Sequence, residues 1–222
     1  PLFALLCPAL GSILILVFGK RPNLREAWTL LASLFQFLII LSMGPIILKG
    51  ERIESYLFTM FPGIDFGFRV DAFGLLFALT ASSLWILVSI YSIGYMRALK
   101  EHAQTRFYFC FALAILGAVG VALSGNLVTM YIFYEILTVS TYPLVAHEQS
   151  SEALFAGRKY LAYLLTGGCF LLGAVALTYS IAGTTDFRPG GILTGTMASR
   201  SMFIILFILF IIGFMKAAYM PF

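Results

Sequence analysis

Seven stretches of this chain are apolar for long enough to cross a lipid bilayer: roughly residues 2–18, 27–48, 72–96, 107–124, 127–146, 160–182 and 201–222. A span needs about 20 mostly apolar residues. Within lipid a helix satisfies its own backbone hydrogen bonds, so length and continuity predict helices here. Composition points the same way. The 222 residues are 61% hydrophobic and 11% charged, whereas a soluble domain is about 45–50% apolar and about 25% charged. No water-soluble fold could hide this much apolar surface. The expected fold class is therefore all-α, a polytopic transmembrane helix bundle with lipid as its solvent.

The same numbers exclude several functions. The net charge of +4 is not gathered into a basic patch with exposed aromatics, so no nucleic-acid surface is expected. Cys7, Cys110 and Cys169 are odd in number, lie inside apolar runs and form no CxxC pair. That argues against an iron–sulfur or zinc site and for small buried core residues. No cofactor motif is present, and no cofactor is expected. The first run lacks a basic segment before it; Lys20 and Arg21 follow it. It therefore reads as a true span and not as a signal peptide. The chain starts at Pro1 and ends at Phe222, directly after an apolar run, and is expected to be a piece of a longer polypeptide.

Lys20, Arg21, Arg25, Arg97, Lys100, Arg106, Arg158 and Lys159 fall at one end of the spans, and Lys49, Arg52, Arg69, Arg188 and Arg200 at the other. The richer end should be cytoplasmic, with the N-terminus outside. Residues 51–71 alternate loosely about Pro62-Gly63 and predict a hairpin lying on the membrane. Residues 183–200, rich in Gly and Thr, predict an irregular loop. The tightest connection is Gly125-Asn126.

Nearly all charges fall in loops or at helix ends. Glu135 and Lys216 do not: they sit deep in the fifth and seventh runs. A charge at a helix centre costs about 2.5–3.5 kcal/mol on insertion scales, and such residues commonly face a bundle interior and mark an ion or proton path. The bland alternative is a buried ion pair that only fixes helix packing. Tyr131, Thr138 and Tyr142 lie at i−4, i+3 and i+7 from Glu135, where their hydroxyls share its helix face. An aromatic stripe is also ordinary packing. Pro143, Gly167-Gly168, Gly213 and Pro221 are helix breakers near these groups. His147 and Lys159 stand at the cytoplasmic edge, as simple anchors or as a proton relay. A retinal protein would also carry a lysine in its seventh span, but here the acid is on the fifth run and the third has only Asp71 at its edge. A membrane hydrolase lacks a nucleophile–base set.

Four stretches resemble a known family: GIDFGFRVDAFGLLFALTASSLWILVSIYSIGYM (63–96), NLVTMYIFYEILTVSTYPLV (126–145), EALFAGRKYLAYLLTGGCFLLGAVALTYSIAGTTDF (152–187) and GFMKAAYMPF (213–222). They are similar to the antiporter-like membrane subunits of respiratory complex I, multisubunit cation/proton antiporters and membrane-bound hydrogenases. The resemblance implies a bundle of about fourteen helices with two inverted five-helix repeats, each with a broken helix. Residues 1–106 would be the peripheral first three spans, and 107–222 the start of the first repeat, truncated in its broken seventh helix. Glu135 falls on the family's fifth-helix glutamate, Lys159 on the lysine before helix six and Lys216 on the helix-seven lysine. One departure is Tyr134, where the family often has Trp or Phe.

The implied function is movement of H⁺, alone or against Na⁺, through the Glu135/Lys216 pair. Burial disfavours the charged form of either group and pairing favours it, so moving one charge changes whether the other holds its proton. Lys159 would take part, with His147, Tyr131, Thr138 and Tyr142 as secondary candidates. The implied partners are other membrane subunits of one complex, including homologous antiporter-like subunits. The implied location is a prokaryotic plasma membrane or a mitochondrial inner membrane. The subunit would carry no redox centre. A membrane anchor without an ion path is the alternative. The Lys-Tyr start of the sixth run leans towards antiporter D-type and hydrogenase-like members, and residues 91–96 (YSIGYM) towards the subunit-5 type.

Overall fold

Four polar side chains mark where helices begin. Asp71, Asn126, Ser150 and Ser199 each sit in extended backbone and accept a hydrogen bond from an N–H three residues on, those of Gly74, Thr129, Ala153 and Met202. Each satisfies one of the donors that a helix start leaves without an internal partner. The structure, a computed structural model, describes residues 1–215. Its elements are α1 (Leu2–Val17), α2 (Pro22–Leu48), β1 (Ile53–Phe61), β2 (Ile64–Val70), α3 (Ala72–Ala98), α4 (Gln104–Ala122), α5 (Leu127–Val145), α6 (Ser151–Ala182) and α7 (Arg200–Gly213).

Among the described residues, each of the seven apolar runs falls on one helix. Five of them, α2 to α6, are long and apolar enough to cross a membrane; α1 and α7 are shorter, at 16 and 14 residues. The protein is an integral, multi-pass membrane protein. Two helices begin well before their apolar runs. Pro22 opens α2, so Arg25 and Glu26 lie within the helix, because proline suits a first helical turn whose N–H groups have no partner anyway. Ser150 caps α6, which starts at Ser151, nine residues ahead of its run, and so holds Lys159 inside the helix instead of before it.

α1, α2, α3 and α4 pack in a ring, each against the next and α4 against α1; α5 lies on α4, α6 on α5 and α7 on α6. Small residues set these approaches, as membrane helix pairs commonly require. A methyl group on Gly117 would lie 2.8 Å from the Leu137 backbone N, and one on Gly213 would lie 2.8 Å from Leu171 Cα. Phe73, Leu87 and Phe207 point outward, 78%, 63% and 65% exposed; lipid makes such exposure harmless. For the same reason the expectation of three buried cysteines fails in part. Cys110 is buried, Cys7 half-buried, and Cys169 exposed on α6.

The expected hairpin is present, with β1 antiparallel to β2 and Ile53 opposite Val70. It turns at Pro62-Gly63, where Gly63 takes a left-handed conformation (φ 78°) that suits glycine. β2 is sunk into the bundle end: Phe68 and Val70 belong to the hydrophobic core. Its backbone continues into the α4–α5 connection, with Gly125 N donating to the Gly67 carbonyl and Arg69 N to the Leu123 carbonyl, both at 2.9 Å. Asn126 Nδ2 donates to the Asp65 carbonyl at 2.7 Å, and Tyr179 Oη to the Pro62 carbonyl at 3.0 Å. Residues 183–199 form the expected irregular loop, with one short bridge between Asn126 and Asp186.

Candidate functional site

α5 and α6 run antiparallel, and their seam is where the sequence-derived residues meet. Glu135 is half-buried on α5, and its carboxylate rests directly on the backbone of α6 at Gly168. A methyl group on Gly168 would sit 2.9 Å from Glu135 Cδ and 3.2 Å from Oε2. Two turns along the seam, Thr141 Oγ1 and Tyr160 Oη share a hydrogen bond at 3.0 Å. Beyond it the Tyr142 ring lies over Gly157, whose added methyl group would be 3.1 Å from Tyr142 Cε2. Gly167-Gly168 does not break α6, which runs unbroken through both residues. These glycines act through their lack of bulk, by letting the carboxylate close on the helix.

α7 completes the site. Its regular helix ends at Gly213, with Phe214 as cap. The preceding glycine of α6, Gly167, faces this end: an added methyl group would lie 3.5 Å from the Ile212 carbonyl oxygen and 3.7 Å from that of Gly213. Tyr134, buried on α5, donates its hydroxyl to the Gly213 carbonyl at 3.0 Å and meets the Phe214 ring edge-on. A helix C-terminus presents carbonyls without intrahelical partners and carries partial negative charge. A carboxylate on one of two consecutive glycines and a carbonyl end on the other make a spot that favours a cation. Lys216, the expected partner of Glu135, lies outside the described residues.

The remaining expected residues are spread more widely. Tyr131 is half-buried one turn before Glu135. Thr138 is buried, and its hydroxyl donates to the Tyr134 carbonyl of its own helix at 3.0 Å. Lys159 is exposed, with Nζ 4.7 Å from the centre of the Phe155 ring. Nine residues of helix separate it from Gly168, about 13 Å at 1.5 Å per residue, so the structure does not bring it to Glu135. His147 lies beyond the end of α5, against His102 and Glu101 of the α3–α4 loop. Burial lowers its basicity below the ordinary histidine value, and the Arg106 guanidinium adds to this. A cavity of about 680 Å³ opens at the opposite, hairpin end beside Arg52, Arg69, Asp71, Phe73, Phe77 and Arg188, and holds none of the expected residues.

Sequence reasoning passed over several groups. Tyr134 stood out only as an unusual aromatic; its hydroxyl is what reaches α7. Arg25 and Glu26 looked like helix-end charges but are 4% and 5% exposed. Glu26 accepts from Arg97 Nε at 3.0 Å and Nη2 at 2.5 Å, and Arg25 Nη2 donates to Gln104 Oε1 at 2.7 Å. The proximity of Arg25-Glu26 to Pro22 was the available signal, since proline there implies an early helix start.

Two family models match the chain: "NADH-Ubiquinone oxidoreductase (complex I), chain 5 N-terminus" over residues 61–108, and "NADH:quinone oxidoreductase/Mrp antiporter, TM" over residues 124–222. The Na(+)/H(+) antiporter subunit A1 of Staphylococcus aureus is 30% identical over 227 residues, covering 100% of this chain and 27% of that protein. The chain thus spans about a quarter of the length of the curated relatives it matches. Two solved structures share the fold at 23% identity. A chain of the archaeal membrane-bound sulfane sulfur reductase has TM-score 0.79, with 95% of this chain and 43% of that one covered. A chain of Thermus thermophilus respiratory complex I has TM-score 0.71, with 99% and 45% covered. The apolar helices, the capped fifth helix bearing Glu135 and these matches place the chain in the antiporter-like membrane subunit family shared by respiratory complex I and Mrp-type antiporters.

Proposed function

We propose that this chain belongs to a subunit that translocates protons within a multisubunit membrane complex, carrying H⁺ through Glu135 and Lys216. The observation that carries this reading is the Glu135 carboxylate seated on Gly168, beside the carbonyl end of α7. Lys216 follows that end by three residues in sequence. A cation belongs in such a place, and an ammonium that gains and loses a proton is a chemically suitable one. Displacing its charge from the carboxylate would let go of a proton; restoring the pair would take one up. The two groups then titrate as one unit. On this reading residues 107–222 begin the first of two inverted repeats. Other membrane subunits, homologous ones among them, are the partners, in a prokaryotic plasma membrane. A name such as Na(+)/H(+) antiporter subunit A1 on a relative supports exchange of H⁺ for Na⁺.

The deciding experiment is transport in proteoliposomes holding the full-length subunit in its complex, comparing wild type with Glu135→Gln. The expected outcome is a fall in proton movement of at least about tenfold, as for loss of a group that takes part directly in proton transfer. A Na⁺ gradient that drives a pH difference in wild type identifies exchange. A pH difference that appears only with an electron donor identifies a respiratory pump. Normal transport by Glu135→Gln removes Glu135 from the path and leaves the chain as an anchor. Lys216→Arg separates relay from structure. Arginine holds its proton too tightly to pass it on, so an active variant would assign Lys216 a purely structural charge.

A further inference from the structure

At the end of the bundle away from the hairpin, two loops meet through three side chains that lie apart from the Glu135 seam. Glu101 and His102 lie between α3 and α4, and His147 lies between α5 and α6. One oxygen or nitrogen of each lies within 4.8 Å of the other two. Glu101 Oε1 is 2.6 Å from His102 Nδ1 and 3.7 Å from His147 Nε2, and the imidazole rings stack at 4.9 Å.

The hydrogen bonding of this group is incomplete in a particular way. His102 Nε2 faces the His147 carbonyl oxygen at 2.9 Å, and its Nδ1 faces the Glu101 carboxylate. Both neighbours are acceptors. A neutral imidazole has only one N–H, so its second nitrogen turns a lone pair on an oxygen unless a second proton or a metal cation stands between them. His147 has the complementary defect: both ring nitrogens are shielded from solvent and lack a hydrogen-bond partner among the described residues. Such groups call for an explanation, an ion among them.

The loops that carry the three side chains also take unusual backbone conformations. Among the described residues, the non-glycine positions with positive φ are Lys100 (50°), Ala103 (49°) and Gln149 (58°), and all three border this cluster. The left-handed region is unfavourable for an ordinary L-residue because of its Cβ. Strain of this kind gathers at functional sites.

We propose that Glu101, His102 and His147 form a binding site for a divalent transition-metal ion of the zinc type. Two imidazole nitrogens and one carboxylate oxygen suit zinc, cobalt, nickel or copper, whereas magnesium and calcium prefer oxygen alone. Ligand bonds of about 2.0–2.2 Å in a tetrahedral site place neighbouring donor atoms roughly 3.4 Å apart, close to the 3.7 Å between Glu101 and His147; the 2.6 Å between Glu101 and His102 would open by about 0.8 Å to admit the ion. The ion takes the place of the proton between Glu101 and His102. His102 Nε2–H then donates to the His147 carbonyl, the outer hydrogen bond that a metal-bound histidine commonly makes. Arg106, the cation nearest this carbonyl, donates to the same oxygen from Nη2 at 2.7 Å and so holds the His147 loop in place. The Glu101 and His102 side chains are 29% and 47% exposed, so an ion would enter from their side. A bound ion would tie the α3–α4 loop to the α5–α6 loop.

Cobalt titration of the purified complex tests this, with the full-length subunit in nanodiscs. Wild type is expected to bind Co²⁺ with the visible bands of a four-coordinate nitrogen–oxygen site, displaced by Zn²⁺, and Zn²⁺ should raise its unfolding temperature. His102→Gln and His147→Gln should each weaken the cobalt signal at least about tenfold and remove the zinc-dependent thermal shift. Glu101→Gln, at an open loop position, is a further variant that leaves both histidines intact and should do the same. Cobalt bands of equal strength in wild type and all three variants would place the ion elsewhere, and a wild type showing only aqueous Co²⁺ would overturn the proposal outright.

Discussion

A carboxylate inside a membrane helix persists only where its surroundings answer its charge, and at Glu135 the distance to α6 is set by one missing methyl group. Gly168 is the only standard residue that lets the Glu135 carboxylate lie where it does, since any Cβ would press into it. The carboxylate is the mobile end of a flexible side chain, so Gly168→Ala should displace it without parting the helices. Alanine also favours the helix by about 1 kcal/mol, which protects the fold. The expected result is a several-fold loss of proton transport with an unchanged or slightly raised unfolding temperature. Wild-type transport by Gly168→Ala would mean that the carboxylate position is immaterial. Glu135 itself was legible in the sequence because a lone acid in an apolar run is conspicuous. Its contact with Gly168 was not, because the crossing point of two helices depends on packing along their whole length. The glycine pair therefore read as a possible break.

Among the elements, the hairpin lies outside the apolar helices, and there charge bears on stability. Glu54 on β1 pairs with Arg69 on β2 at 2.8 Å and accepts from the Tyr56 hydroxyl at 3.0 Å. The Tyr56 hydrogen bond, with Arg69 beside it, holds the Glu54 carboxyl below its ordinary value. A carboxyl depressed in the folded state adds stability above its unfolded value of about 4.3, and that contribution is lost as pH falls through the lower, folded value. The pair is solvent-accessible, so the effect is local and screened by salt. Protection of the β1 and β2 amides against hydrogen exchange, corrected for intrinsic rates, should drop as pH falls below about 4.3. Glu54→Gln should show the lower protection already at neutral pH and lose the pH dependence. A wild type and variant with identical profiles would leave the pair with no stabilising role. The hairpin could be read from Pro62-Gly63 and the alternation around it. The burial of β2 could not, because Phe68 and Val70 join a core cluster built from residues far apart in the chain, Ala4 to Phe133, that no local pattern announces.

At the scale of the whole molecule, the ring of α1 to α4 is closed at its loop end by buried charge, where a membrane protein would be expected to use apolar contact. Thr105 donates to the Gly19 carbonyl beyond α1, Arg25 of α2 reaches Gln104 and Thr105 at the start of α4, and Glu26 of α2 binds Arg97 of α3. The Arg25 guanidinium also lies 5.3 Å from the centre of the buried Tyr108 ring. Four helices thus share one polar knot, which also explains why two of the cationic residues counted for orientation are occupied in holding the fold. Removing one member of a buried pair leaves the other charge without compensation and costs about 3–5 kcal/mol, whereas replacing both with apolar residues is close to neutral. Arg97 is half-exposed and can turn to water, but Arg25 cannot. Glu26→Ala should therefore lose about 3 kcal/mol, the lower end of that range, seen as a lower unfolding temperature of the detergent-solubilised complex. The double change Arg25→Met with Glu26→Leu should recover most of that loss. If Glu26→Ala unfolds at the wild-type temperature, the knot is incidental and apolar packing of the ring holds this end. If the double change is as unstable as the single one, the hydrogen bonds of Arg25 to α4 matter more than its pairing with Glu26.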